Sequence, residues 1–189
     1  MFRRPGGFVA TKSVTVASSS TGMAAIDGLD LQDVHSMVKI GPWGGTGGTP
    51  RDIYQDSKHL ESITVRSTDN YGGRINGFSF VYVNYKGQSI DVGTWGSATK
   101  GYEDTIQMAP KELVIKVCGY VDKTGVRWLQ FKTSTGRKCT YGWCTSSGTG
   151  KHFNVPLQQG GGGVLGFFGR ADDSLVAIGV YVSGRNAFH

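Results

Sequence analysis

The chain has 189 residues, enough to bury a proper core in one domain, and 30 of them are glycine, about double the usual share of roughly 7%. Its formal charge is +6, but Arg3, Arg4 and Lys12 are balanced by Asp27, Asp30 and Asp33, and the later basic residues are spread singly apart from Arg137-Lys138. No basic stripe interleaved with aromatics appears, so nucleic acid is not expected as a partner, and no apolar run is long enough for a membrane span.

Residues 1–36 are Ser/Thr-rich at their start, carry no acid before Asp27 and lack the apolar h-region of a secretory signal. They read as a disordered extension, with at most a brief helical turn over 24–34. No secretory signal is evident, and an intracellular location is the expectation. The folded domain is expected over 37–183, followed by a short tail at 184–189.

Residues 38–40 read as the first strand, followed by Gly41-Pro42-Trp43-Gly44-Gly45-Thr46-Gly47-Gly48. This loop lacks the Lys-Ser/Thr pair of a phosphate loop, so its chemistry excludes nucleotide. Strands are then predicted at 60–66, at 78–85 closed by a Lys86-Gly87 turn, and at 89–92, 104–108 and 113–117. Further strands are predicted at 128–133, 138–141 and 152–155, and a final pair at 164–168 and 175–182. The grounds are apolar alternation, β-branched and aromatic enrichment, and glycine or polar turns between them. No segment offers twelve residues of helical period, so the body is all-β.

A weak internal repeat organises these strands. Glycine-rich loops carrying a tryptophan recur at Trp43, Trp95 and Trp143, about fifty residues apart. A second pattern keeps the same period at Gly77-Phe78-Ser79-Phe80, Trp128-Leu129-Gln130-Phe131 and Ala177-Ile178-Gly179-Val180. Such a period implies one several-stranded sheet per unit. Three units are too few for a propeller, whereas three four-stranded Greek-key sheets around one axis close a prism.

Catalysis and metals are not expected. His35, His59, His152 and His189 show no metal-ligand spacing, and the serines lack a nucleophile-elbow context. Asp172 and Asp173 are adjacent on one turn and would not flank a glycosidic bond. Of three cysteines, Cys118 follows an apolar run and reads as a small core residue. A Cys139–Cys144 bridge is open, with a reduced state favoured.

The stretch Gly166-Phe167-Phe168-Gly169-Arg170 followed by Leu175-Val176-Ala177-Ile178-Gly179-Val180-Tyr181-Val182 is a strand, a tight polar loop and a second strand. It resembles the last hairpin of the jacalin-related lectins, above all their mannose-binding branch, and Trp43-Gly44-Gly45-Thr46-Gly47-Gly48 resembles their first glycine loop. The resemblance spans roughly 38–182. It implies a β-prism I fold with pseudo-threefold symmetry, and the first strand beside the C-terminal hairpin, bringing Gly48 next to the 169–176 loop. By the same resemblance the partners are mannose/glucose-type glycans and glycoproteins, the protein is a homo-oligomer of plant origin, cytoplasmic with the nucleus also open, with a defence or stress role, and no cofactor is needed.

Carried over by position, sugar contacts fall on Gly48, Asp172, Asp173, Ser174, Leu175 and Val176. Backbone donors come from Gly48 and from 173–175, and the family's acceptor carboxylate belongs at position 176. Here that position is Val176, and Asp172 replaces a glycine. The principal site is therefore expected to be weak or of changed specificity, unless Asp172 or Asp173 supplies the missing acceptor. A prism that has lost sugar and binds proteins is the alternative. A second candidate sugar site comprises Gly72, Gly73, Arg74, Asn76 and Gly101, where some family members carry Asp and this chain has Asn76. An ordinary Gly/Asn turn explains the same residues.

Overall fold

The computed structural model describes residues 37–144, 149–156 and 162–183. The expectations for 1–36 and for 184–189 lie outside the described residues. Among those described the chain forms strands and no helix: β1 (Met37–Gly44), β2 (Thr49–Arg51), β3 (Ser57–Ser67), β4 (Ile75–Asn84), β5 (Ser89–Asp91), β6 (Trp95–Gly96), β7 (Tyr102–Gln107), β8 (Val114–Asp122), β9 (Gly125–Thr133), β10 (Lys138–Gly142), β11 (Lys151–Pro156), β12 (Val164–Ala171) and β13 (Leu175–Ser183).

These strands make three antiparallel sheets. The first runs β1-β13-β12-β2, the second β5-β4-β3-β7 with β6 also on β4, and the third β10-β9-β8-β11. β5 pairs with Val81–Val83 and β6 with Gly77 and Phe78, both on the edge of β4 that β3 leaves free. They therefore act as one interrupted edge strand, and each sheet is four strands wide, as the repeat predicts.

The first sheet closes the molecule. Its two N-terminal strands flank the C-terminal hairpin: Met37 lies opposite Ser183, and Thr49 opposite Ala171. The first and last strands of the described residues are thus joined through backbone hydrogen bonds, so the three repeat units are permuted around the prism.

Each unit sends its central strand to the axis. Phe78 and Phe80 of β4, Leu129 and Phe131 of β9, and Ile178 and Val180 of β13 are all essentially buried. Phe167 of β12 fills the centre, edge-on to Phe78 at 5.0 Å and to Phe80 at 5.2 Å, with Phe131 at 6.0 Å. Full burial of one such ring contributes about 1.5–3 kcal/mol, and edge-to-face pairs add about 0.5–1.5 kcal/mol. Strand alternation places these residues inward because every second side chain shares a face.

Some sequence expectations need correction. The three repeat tryptophans are not equivalent: Trp95 is buried among Phe78 and Phe80, Trp43 stacks on Phe153 at 4.3 Å, and Trp143 is exposed beside Tyr71. Cys118 is not a core residue. Its neighbour Val117 takes the inward position, which turns Cys118 outward, where its thiol donates to Asn154 Oδ1 at 3.3 Å. All three cysteines are free. The short strands β2 and β6 lack an alternating pattern and are stabilised by their partners alone.

Candidate functional site

Two chain segments distant in sequence form one rim of the prism. The glycine loop after β1 meets the loop joining β12 to β13, because β1 and β2 flank that hairpin. Gly45 N donates to Val176 O at 3.0 Å. Arg170 clamps the other side: its Nε donates to Gly47 O at 2.7 Å and its Nη2 to Gly48 O at 2.7 Å. The guanidinium fork suits two adjacent carbonyls, which an ammonium could not hold in one plane. Gly48 has φ +73, and a Cβ there would come within 2.9 Å of the Ala171 carbonyl, so only glycine lets the two backbones meet.

The connecting loop is short and self-bonded. Asp172 N donates to Ser174 O at 3.2 Å, while Asp172 Oδ1 accepts from Ser174 N at 3.4 Å. This bend is one that Asp stabilises through its own side chain. Asp172 and Asp173 are both exposed. Ser174 is buried and its hydroxyl accepts from Arg74 Nη1 at 3.3 Å, reaching the second sheet rather than the rim. Leu175 is fully buried in the core, which leaves only its backbone for the rim.

Val176 is 6% exposed, and its Cγ1 lies 3.1 Å from where Gly45 would carry a Cβ. The hydrogen bonds of this loop thus bring Gly48, Asp172 and Val176 to one place, with backbone amides nearby and no carboxylate at 176. A cleft of about 420 Å³ opens beside the glycine loop, between Trp43-Gly44 and Asp122-Lys123. Its lining does not include Gly48 or residues 172–176.

The second candidate loop holds its amide side chain inside the fold. Asn76 and Gly101 are neighbours: a Cβ on Gly101 would sit 2.7 Å from Asn76 Nδ2. Asn76 is fully buried, with Nδ2 donating to Thr68 Oγ1 at 2.8 Å and Oδ1 without a partner among the described residues. An amide at zero exposure offers nothing to a sugar outside. Gly72 O accepts from Arg127 Nη1, Gly73 N donates to Asn70 O, and Arg74 is turned towards Ser174. In the third unit Asp122 occupies the loop itself, accepting from Thr124, Gly125 and Arg127. Among the described residues no His, Cys, Asp or Glu cluster could hold a metal.

Sequence reasoning missed Arg170, Arg127 and Asp122 as loop holders. Arg170 stands in the Gly169-Arg170 pair quoted above, but nothing local tells that its fork reaches a loop more than a hundred residues away.

The model of the jacalin-like lectin domain matches residues 40–181. The chain belongs to the jacalin-like lectin family. It is 40% identical over 150 residues to Horcolin of Hordeum vulgare, covering 77% of this chain and 97% of that protein. It is 31% identical to a mannose/glucose-specific lectin of Parkia pendula, covering 82% of this chain and 34% of that longer protein. Among solved structures, the mannose-binding lectin from Champedak matches with TM-score 0.65 at 30% identity, covering 79% of this chain and 99% of that one. The artocarpin–mannotriose complex matches equally well, with TM-score 0.65 at 30% identity over 78% of this chain and 97% of that one. The β-prism architecture of this jacalin-like domain therefore agrees with that of mannose-binding relatives.

Proposed function

We propose that this jacalin-like domain is a carbohydrate-binding lectin for mannose/glucose-type glycans, whose principal site at Gly48 and 172–176 is retuned and weak. The observation that carries the reading is the Arg170 clamp, which holds Gly47 and Gly48 against the 171–175 loop. Such a rim presents backbone groups fixed in space, and a hexose is held only by several fixed donors and acceptors meeting adjacent hydroxyls together. A central acceptor is the missing part. Val176 cannot supply it, and one oxygen of Asp172, Oδ1, already accepts from Ser174 N. Each sugar hydroxyl buried without a partner costs about 1–3 kcal/mol, which takes affinity down by one to two orders of magnitude. Asp173 is the free carboxylate on the loop and is the residue that would accept in place of position 176.

Chromatography on mannose-agarose and glucose-agarose tests this. Retention of the wild type with elution by free sugar, lost in Asp173→Ala, is the expected result. Passage of the wild type through both columns would overturn the reading of an active site. One observation favours a second reading, a sugar-inactive interaction module: Val176 is buried, with an apolar side chain where the sugar would need an acceptor. On either reading the chain is a binding protein and not an enzyme, and self-association would make weak sites avid. A defence or stress role in a plant belongs to the same proposal.

A further inference from the structure

The outer face of the β10-β9-β8-β11 sheet carries three cross-strand rows of side chains. In the first, Lys138 lies directly opposite Lys132, and Lys132 directly opposite Lys116. The inward positions beside them are taken by Val117, Phe131 and Thr133, all buried, so the three lysines share the outer face. Directly opposed side chains on an antiparallel pair are about 4.5–5.5 Å apart at Cβ, and like charges there destabilise the sheet. Among the described residues none of the three joins an ion pair, and none of the three rows contains Asp or Glu. The second row is Thr140, Gln130, Cys118 and Asn154, and the third is Gly142, Trp128, Tyr120 and His152.

We propose that this face binds an anionic polysaccharide, a sugar chain bearing sulfate or carboxylate groups, at a site separate from the 172–176 loop. Charge complementarity is the first ground: an unneutralised lysine row about 10 Å long matches anionic groups repeated along a chain, and lysine serves as a point charge for them. The second is the row beside it. Gln130 Nε2 donates to Thr140 Oγ1 at 3.3 Å and Asn154 Oδ1 accepts from Cys118, which leaves Gln130 Oε1, the Thr140 hydroxyl proton and Asn154 Nδ2 to accept from and donate to sugar hydroxyls. Trp128, half-buried in the third row, adds part of a ring face. Single-stranded nucleic acid fits less well, because it needs bare aromatic platforms for successive bases. Here Tyr120 is 4% exposed and lies against His152 at 4.8 Å. An acidic peptide adding as a strand would need a sheet edge, whereas this surface is a sheet face.

The test uses heparin as the sulfated probe and polygalacturonate as the carboxylated one. The variant Lys116→Gln/Lys132→Gln/Lys138→Gln is compared with Lys58→Gln/Lys86→Gln/Lys100→Gln, which removes the same charge elsewhere. The wild type and the second variant are expected to leave heparin-agarose at the same salt concentration. The first variant should elute earlier and bind heparin roughly tenfold or more weakly. Polygalacturonate should displace the wild type where an oligothymidylate or polyglutamate of equal charge does not. Equal losses in both triple variants would reduce the effect to net charge and overturn the proposal. So would unchanged heparin binding in the first variant, or displacement by oligothymidylate or polyglutamate at the same concentration as polygalacturonate.

Discussion

Arg170 is half-buried and spends two of its donors on the carbonyls of Gly47 and Gly48. Arg170→Lys keeps the charge but cannot satisfy both carbonyls in one plane. It should lower stability by about 1–2 kcal/mol, and weaken any sugar binding more than a distant substitution of equal thermodynamic cost. Thermal melts beside sugar titration check this; unchanged affinity in a destabilised Arg170→Lys protein would separate the clamp from the site. Val176 itself is plain in the sequence, as an apolar residue at the position where the resemblance expects a carboxylate. The fate of Asp172 is not, since whether its carboxylate folds onto Ser174 N depends on loop dihedrals that no residue pattern encodes.

At the scale of elements, one ion pair ties the β7–β8 connection to the β9–β10 turn. Glu112 is 4% exposed and its carboxylate accepts from Arg137 Nε at 2.8 Å, from Arg137 Nη2, from Thr135 Oγ1 and from Ala109 N. The Arg137 guanidinium, more than these other donors, holds that carboxyl far below the usual carboxylate range. A lowered carboxyl contributes stability above its unfolded pKa of about 4 and loses it as pH falls towards the folded value. Arg137→Met should therefore cost on the order of 2–3 kcal/mol at pH 7, leaving a buried charge with neutral donors only, and distinctly less at pH 3. Urea titrations at the two pH values decide; an equal cost at both would deny the pair its role. Strand positions were readable from alternation at nearly every element. Cross-strand register was not, which is why Lys116, Lys132 and Lys138 look like scattered charges in sequence and form a row in the sheet. Relief of that row predicts that Lys132→Gln melts higher than wild type, by the few tenths of a kcal/mol that opposed like charges cost.

For the whole molecule, the axis matters most. Phe167 touches aromatic residues of the two sheets other than its own, so Phe167→Ala removes a contact shared by all three. A cost of about 3–5 kcal/mol is expected, with fluorescence and circular dichroism still reporting one coincident transition. Separate transitions would mean that the sheets fold as independent units. The fifty-residue period announced three sheets, and the paired N- and C-terminal motifs announced their permuted closure. The period overstated the equivalence of the units, since Trp43, Trp95 and Trp143 meet different neighbours at each corner of the prism.

On the proposed function, a sugar rim persists here without an acceptor at position 176. Calorimetric titration of the Asp172→Gly/Val176→Asp variant with methyl mannoside, against the wild type, tests it most directly. Restoring one acceptor should tighten binding by about 5- to 150-fold, the equivalent of about 1–3 kcal/mol. Affinity no better than that of the wild type, in a variant that melts cooperatively, would contradict the account.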